Sequence, residues 1–155
     1  MTRLTLSFAG GVGTLAFLKE WPALNTQGLS LLRLDINPGW HHQSPYTQLI
    51  HRNSGEMYTG FVTNNFGNDP TISNKLYAKV VKKGEAFIFP RVLLHFQLNK
   101  GKVLASSLNV LNSQNPGIQL MPSALFGSGL DREMLEKSFF MNATQFAALE
   151  NIFEE

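Results

Sequence analysis

The stretch Gly84 to Asn99, GEAFIFPRVLLHFQLN, decides the fold. Lys83-Gly84-Glu85 reads as a turn, and Ala86 to Phe89 as an apolar strand that Pro90 ends. Gly admits the tight turn, and Pro, lacking a backbone N–H, stops a sheet ladder. Val92 to Leu98 is the next strand, and a single histidine, His95, emerges from it. That order suits a β-barrel that aims an imidazole into its own interior.

The flanking sequence reads the same way. Leu32, Leu34 and Ile36 alternate with Arg33 and Asp35, the pattern of a half-buried strand, which stops at Asn37-Pro38-Gly39. Tyr46 to His51 and Glu56 to Asn64 flank Arg52-Asn53-Ser54-Gly55, a predicted hairpin turn. Asn64 to Asn74 is rich in turn formers and reads as an exposed loop. Leu76 to Lys82 precedes the turn at Lys83, and Val103 to Leu111 pairs with Val92 to Leu98 across Asn99 to Lys102. Gly117 to Met121 reads as a short terminal strand. Many short strands with turn residues between them signal a sandwich or barrel.

The C-terminal residues change period. Ser128-Gly129-Leu130-Asp131 resembles a capping box, with Met134, Leu135 and Phe139 on one helical face. Asn142 can cap a second helix, where Phe146, Leu149, Ile152 and Phe153 form an apolar stripe. Such helices need a surface to cover, on the barrel or on a neighbouring subunit.

Composition narrows the function classes. A chain of 155 residues with 43% hydrophobic content and 12 Phe supports one domain with a real core. The net charge of +2 comes from scattered Lys and Arg, adjacent only at Lys82-Lys83, which argues against nucleic acid. No apolar run is long enough for a transmembrane helix. With no Cys, disulfides and thiolate metal sites are excluded. The opening MTRLTLSFAGGVGTLAF is broken by Gly10, Gly11 and Gly13 and matches a secretory signal poorly.

Several of these segments, in fixed order, resemble the germin-like branch of the cupins. They are Trp21 to Ser30, Arg33-Leu34-Asp35, Gly55 to Thr63, Asn74 to Tyr77, Gly84 to Asn99, Ser113 to Gly117 and Phe126-Gly127-Ser128. The likeness covers residues 15–155 as a single cupin domain and leaves residues 1–14 as a poorly matching N-terminal segment. It implies an all-β cupin jelly-roll β-barrel with C-terminal α-helices. It also implies a secreted, glycosylated manganese protein of the apoplast or cell wall, assembled as a homohexamer whose helices clasp adjacent subunits. Full-length family members start with a signal peptide and a cysteine pair, so this chain looks like a member missing its front end. A tripeptide at the position of Lys83-Gly84-Glu85 is discussed as adhesive in germins.

The family holds manganese with His-x-His, a Glu five residues beyond the second His, and a later His. Carried over residue by residue, the expected metal positions are His41, Gln43 for the second His, Gln48 for the Glu, and His95. Position 92, Gly in the family, is Val here. The loop before His41 is also shorter than the family's. Two carboxamides replace an imidazole and a carboxylate, and manganese(II), at the weak end of the divalent series, depends on hard anionic oxygen. Neither His42 nor His51 is expected to help, since each opposes its expected ligand neighbour, His41 or Gln48. A one-residue slip would turn either inward and expose its strand's apolar set. Unsupported by the motif, His95 would read as a core histidine and His41-His42 as a solvated pair. Asn142-Ala143-Thr144 is the one N-x-S/T glycosylation sequon.

Three functions are compatible with these residues. One is a germin-like extracellular protein of defence or oxidative stress with inherited manganese binding and weak or lost catalysis. Another is an active manganese oxidoreductase on superoxide or oxalate. The third is a metal-free binding or structural subunit of germin oligomers.

Overall fold

The computed structural model describes residues 4–8, 10–44, 48–64 and 74–153, with Leu4, residues 6–8, 42–44 and 48–54 described by backbone alone. Among the described residues ten strands precede three α-helices. They are β1 (Leu4–Phe8), β2 (Gly11–Ala16), β3 (Ser30–Ile36), β4 (His41–Ser44), β5 (Gln48–Ser54), β6 (Met57–Val62), β7 (Leu76–Val81), β8 (Ala86–Ile88), β9 (His95–Asn99) and β10 (Ala105–Leu111). One antiparallel sheet has the order β1-β2-β3-β10-β5-β8, the other β4-β9-β6-β7. This is the jelly-roll arrangement of a cupin.

Apolar alternation sets the core. In β3 Leu32, Leu34 and Ile36 are buried while Arg33 and Asp35 face outward, as period two requires. They pack with Leu15, Phe17, Met57, Ala105 and Leu111, and Ile118 closes against the group. Each buried Leu or Ile contributes about 1.5–3 kcal/mol relative to exposure. On the outer face Arg33 Nε and Nη2 donate to Asp35 at 2.9 and 3.0 Å, and Ser106 Oγ donates to the same carboxylate. Burial alone would raise the Asp35 carboxyl, but the Arg33 and Ser106 bonds together with the Arg33 charge outweigh it and hold it below its ordinary value.

The structure corrects several pairings. β5 pairs with β8 and β10, and β6 with β7 and β9, so the Arg52 to Gly55 segment crosses between sheets and closes no hairpin. The turns at Lys83 to Glu85 and at Asn99 to Lys102 likewise join strands of different sheets. Gly55 explains one crossing: its φ is 77°, and a Cβ there would lie 2.7 Å from Ala105 Cα. Gly117 to Leu120 forms no strand, and Met121 already begins a helix. β9 starts at His95, because Val92 has φ 67° and leaves the extended region. The first residues, unassigned in the sequence, form the β1–β2 hairpin. Of the expected loop between Asn64 and Asn74, residues 65–73 lie outside the described residues.

Two compact units divide the chain, residues 1–118 and 119–155. In the second, α1 (Met121–Phe126), α2 (Arg132–Phe139) and α3 (Ala143–Phe153) gather around aromatic rings. Phe126 meets Phe139, Phe146 and Phe153 at centroid distances of 5.8, 6.1 and 6.5 Å. The Asn142 cap is as expected, with Asn142 and Gln145 bonding reciprocally, but the capping box from Ser128 does not form: Asp131 itself caps α2, accepting from Met134 N, and Ser128 Oγ donates to the Ala124 carbonyl. Phe140 and Ile152 remain exposed.

Candidate metal centre

His95 is the first residue of β9, and alternation buries it with Gln97 and Asn99 while Phe96 and Leu98 are only half-buried. Its ring stacks on Phe89 at 4.1 Å between centroids, with 20° between planes. Nδ1 lies 3.2 Å from the Leu93 carbonyl oxygen. A carbonyl only accepts, so in the neutral ring Nδ1 carries the proton and Nε2 keeps a lone pair. Nε2 is buried and has no hydrogen-bond partner among the described residues. Burial pushes the imidazole down to about 4, against a smaller opposing effect of the Leu93 bond, so it stays neutral at physiological pH.

Beyond His95 the interior is lined with neutral polar groups. Gln97 Nε2 donates to Asn109 Oδ1 at 3.0 Å, bridging β9 of one sheet to β10 of the other. Ser107 Oγ donates to Gln97 Oε1 at 2.9 Å. Asn109 Nδ2 donates to the Leu32 carbonyl and to Ser107 Oγ. Asn99 braces the end of the barrel, donating to the carbonyls of Ile36 and Val103 and accepting from Gly101 N. These buried residues were not singled out as site members, yet period two from His95 reaches Gln97 and Asn99 directly.

Of the four expected metal positions, two have described side chains, and they differ: His95 is buried and His41 is exposed. His41 is exposed and registered with Leu98, and Gln43 is registered with Phe96, on the face opposite His95 and Gln97. Gln48 is registered with Leu111, whose side chain is buried. The side chains of Gln43 and Gln48 lie outside the described residues. His42, not His41, is registered with buried Gln97. The parity follows from where β4 pairs with β9 after the shortened loop. Exposed Asn142 spends its side chain on the α3 cap.

The donor set does not fit manganese. Asp35 is the one acidic residue on the ten strands, and it sits on the outer face bound to Arg33. Among the described residues no three His, Asp or Glu side chains group to hold an ion. A dication beside neutral donors in a dry interior lacks charge compensation, and that costs several kcal/mol.

The family model described as Cupin matches residues 2–146. Germin-like protein subfamily 3 member 2 of Arabidopsis thaliana is 41% identical over 140 residues, covering 88% of this chain and 58% of the relative. Germin-like protein subfamily 3 member 1 of the same plant is 33% identical over 152 residues, covering 96% and 69%. The solved structure "Recombinant oxalate oxidase in complex with glycolate" superposes with a TM-score of 0.82 at 35% identity, over 95% of this chain and 74% of that one. Fold and sequence together define a cupin. Within that class the chain belongs to the germin-like proteins, and it spans between a half and two thirds of the length of the first curated relatives it matches.

Proposed function

We propose that this chain is an extracellular germin-like barrel whose inherited manganese centre is degraded, with catalysis weak or lost. One observation carries the reading: among the described residues no strand presents a carboxylate to the interior that holds His95. Without an anionic ligand, manganese(II) binds weakly and manganese(III), which redox turnover needs, is disfavoured further. A role in plant defence or oxidative stress then rests on the barrel as a wall protein rather than on turnover. Apoplast location, glycosylation at Asn142 and hexamer assembly belong to the same proposal. Exposed Phe139, Phe140 and Ile152 on the helical unit are consistent with assembly, since such patches are commonly covered by a partner.

The test is manganese content by ICP-MS and manganese(II) EPR titration of refolded protein. Sub-stoichiometric metal, with no superoxide dismutation or oxalate oxidation, is expected. Stoichiometric manganese retained through gel filtration overturns the reading. A metal-free binding or structural subunit is the second reading, favoured by the mutual hydrogen bonding of Gln97, Ser107 and Asn109. Mixed assembly with an intact germin-like protein would support it.

A further inference from the structure

We infer that a cleft on the outside of the barrel, where the β1–β2 turn meets the end of β3, binds a neutral saccharide, with Trp40 as its stacking platform. The cleft lies outside the barrel interior, so this inference stands whether or not manganese is bound. Three observations support it.

First, the cleft has the size and the wall of a small-ligand site. It encloses about 490 Å³, and its lining includes Gly10, Gly11, Arg33, Asp35, Asn37 and Leu104. That volume lies in the range of pockets that take small molecules. Register explains the wall: Gly11 pairs with Ile36 and Val12 with Asp35, so Gly10 and Gly11 stand beside the last residues of β3. Two adjacent glycines leave bare backbone there, which lets a ligand approach closely.

Second, Trp40 packs against Gly10 so tightly that a Cβ there would collide with the indole. The backbone that carries the ring is held as well. The Trp40 N–H donates to the Asn37 carbonyl at 3.2 Å, and the Asn37 N–H donates to the Gly10 carbonyl at 2.8 Å. Yet Trp40 stays 46% exposed. A large apolar ring, fixed in place and half open to water, suits the C–H face of a sugar.

Third, the polar groups of the cleft are neutral in sum and keep unused hydrogen-bonding capacity. Arg33 and Asp35 neutralise each other through two bonds, and Ser106 donates to the same carboxylate. The remaining Arg33 N–H donors have no partner among the described residues, and neither has the exposed Asn37 amide. An anion would meet Asp35 and a cation would meet Arg33, so the pair favours an uncharged ligand. Hydroxyls, each donor and acceptor at once, match this mixture of groups.

The test is isothermal titration of the refolded full chain with xylotetraose, cellotetraose and, as an anionic comparator, trigalacturonate. The Trp40 indole N–H resonance is a second readout. At least one neutral tetrasaccharide is expected to bind at least about tenfold tighter than trigalacturonate and to shift that resonance. Trp40→Ala should weaken binding at least about tenfold and Asn37→Ala at least about threefold. Lys83→Ala, in the turn before β8 and three strands along from β3, should leave it within about twofold. Asn37→Ala carries the test if Trp40→Ala fails to fold by circular dichroism. If neither tetrasaccharide binds at about 10 mM, the inference is overturned, and the manganese reading, scored by metal content, is untouched. Trigalacturonate binding as tightly overturns the assignment of a neutral ligand. Saccharide binding that survives both Trp40→Ala and Asn37→Ala overturns its placement in this cleft.

Discussion

Val92 offers a sharp test of the backbone just before His95. It is a β-branched residue at φ 67°, and the residue is 85% exposed. Left-handed backbone costs an L-residue about 1–2 kcal/mol, and a branched Cβ belongs at the upper end. Little packing offsets that strain, because so little of the side chain is buried. Val92→Gly removes the strain but adds about 0.5–1 kcal/mol of backbone entropy to lose on folding. The net is a stabilisation of about 0.5–1 kcal/mol, worth roughly 1–4 °C in melting temperature for a chain of this size. Val92→Asn should gain a similar amount, since Asn tolerates the left-handed region without the glycine entropy cost. Urea unfolding followed by circular dichroism, with a matched thermal melt, measures both variants. If both melt at or below the parent, Val92 is not strained and the loop geometry before His95 is misassigned.

Three further substitutions probe other parts of the barrel. Gly55→Ala should destabilise by more than about 2 kcal/mol, seen as a lowered urea midpoint, because it adds left-handed strain and a backbone clash with Ala105. Asn109→Ala removes its bonds to Gln97, Ser107 and the Leu32 carbonyl and should cost about 1–3 kcal/mol by chemical denaturation. Asp35 titrates below its ordinary value in the fold, so its contribution is complete above the unfolded carboxylate range and is lost as pH falls through the depressed value. Asp35→Asn should therefore lower stability at neutral pH and flatten the acid limb of melting temperature against pH.

Local patterns were legible in the sequence, and pairings were not. The Leu32, Leu34, Ile36 alternation became β3, and the cap at Asn142 was readable because capping is local chemistry, whereas the box expected to open at Ser128 starts three residues later, with Asp131 as the cap. The segments Arg52 to Gly55, Lys83 to Glu85 and Asn99 to Lys102 hold turn residues whether the chain folds back or crosses to the other sheet. Only the approach of Gly55 to Ala105 reveals the crossing there, and that neighbour is distant in sequence. Ile118 and Leu120 alternate like a strand, but Pro122 fits the first turn of a helix. The β1–β2 hairpin has a local signal, Gly10-Gly11 between apolar runs, in a segment that matches neither a secretory signal nor the family. The inward position of His95 was legible from the apolar residues around it, although its strand begins at His95 rather than at Val92. The exposure of His41 was not, since it depends on how β4 pairs with β9 after a shortened loop.

The placement of β3 between β2 and β10 has a consequence for biosynthesis. One edge of β3 is satisfied as soon as residues 11–36 leave the ribosome, but the other waits for β10, pairing Ile36 with Ala105 and Ser30 with Leu111. Closure therefore comes late and depends on contacts distant along the chain, which slows folding. A nascent chain arrested before Leu111 carries Leu31 to Ile36 as an open, apolar strand edge. Such an edge is a template for intermolecular pairing, so stalled translation products are the species most in need of a chaperone.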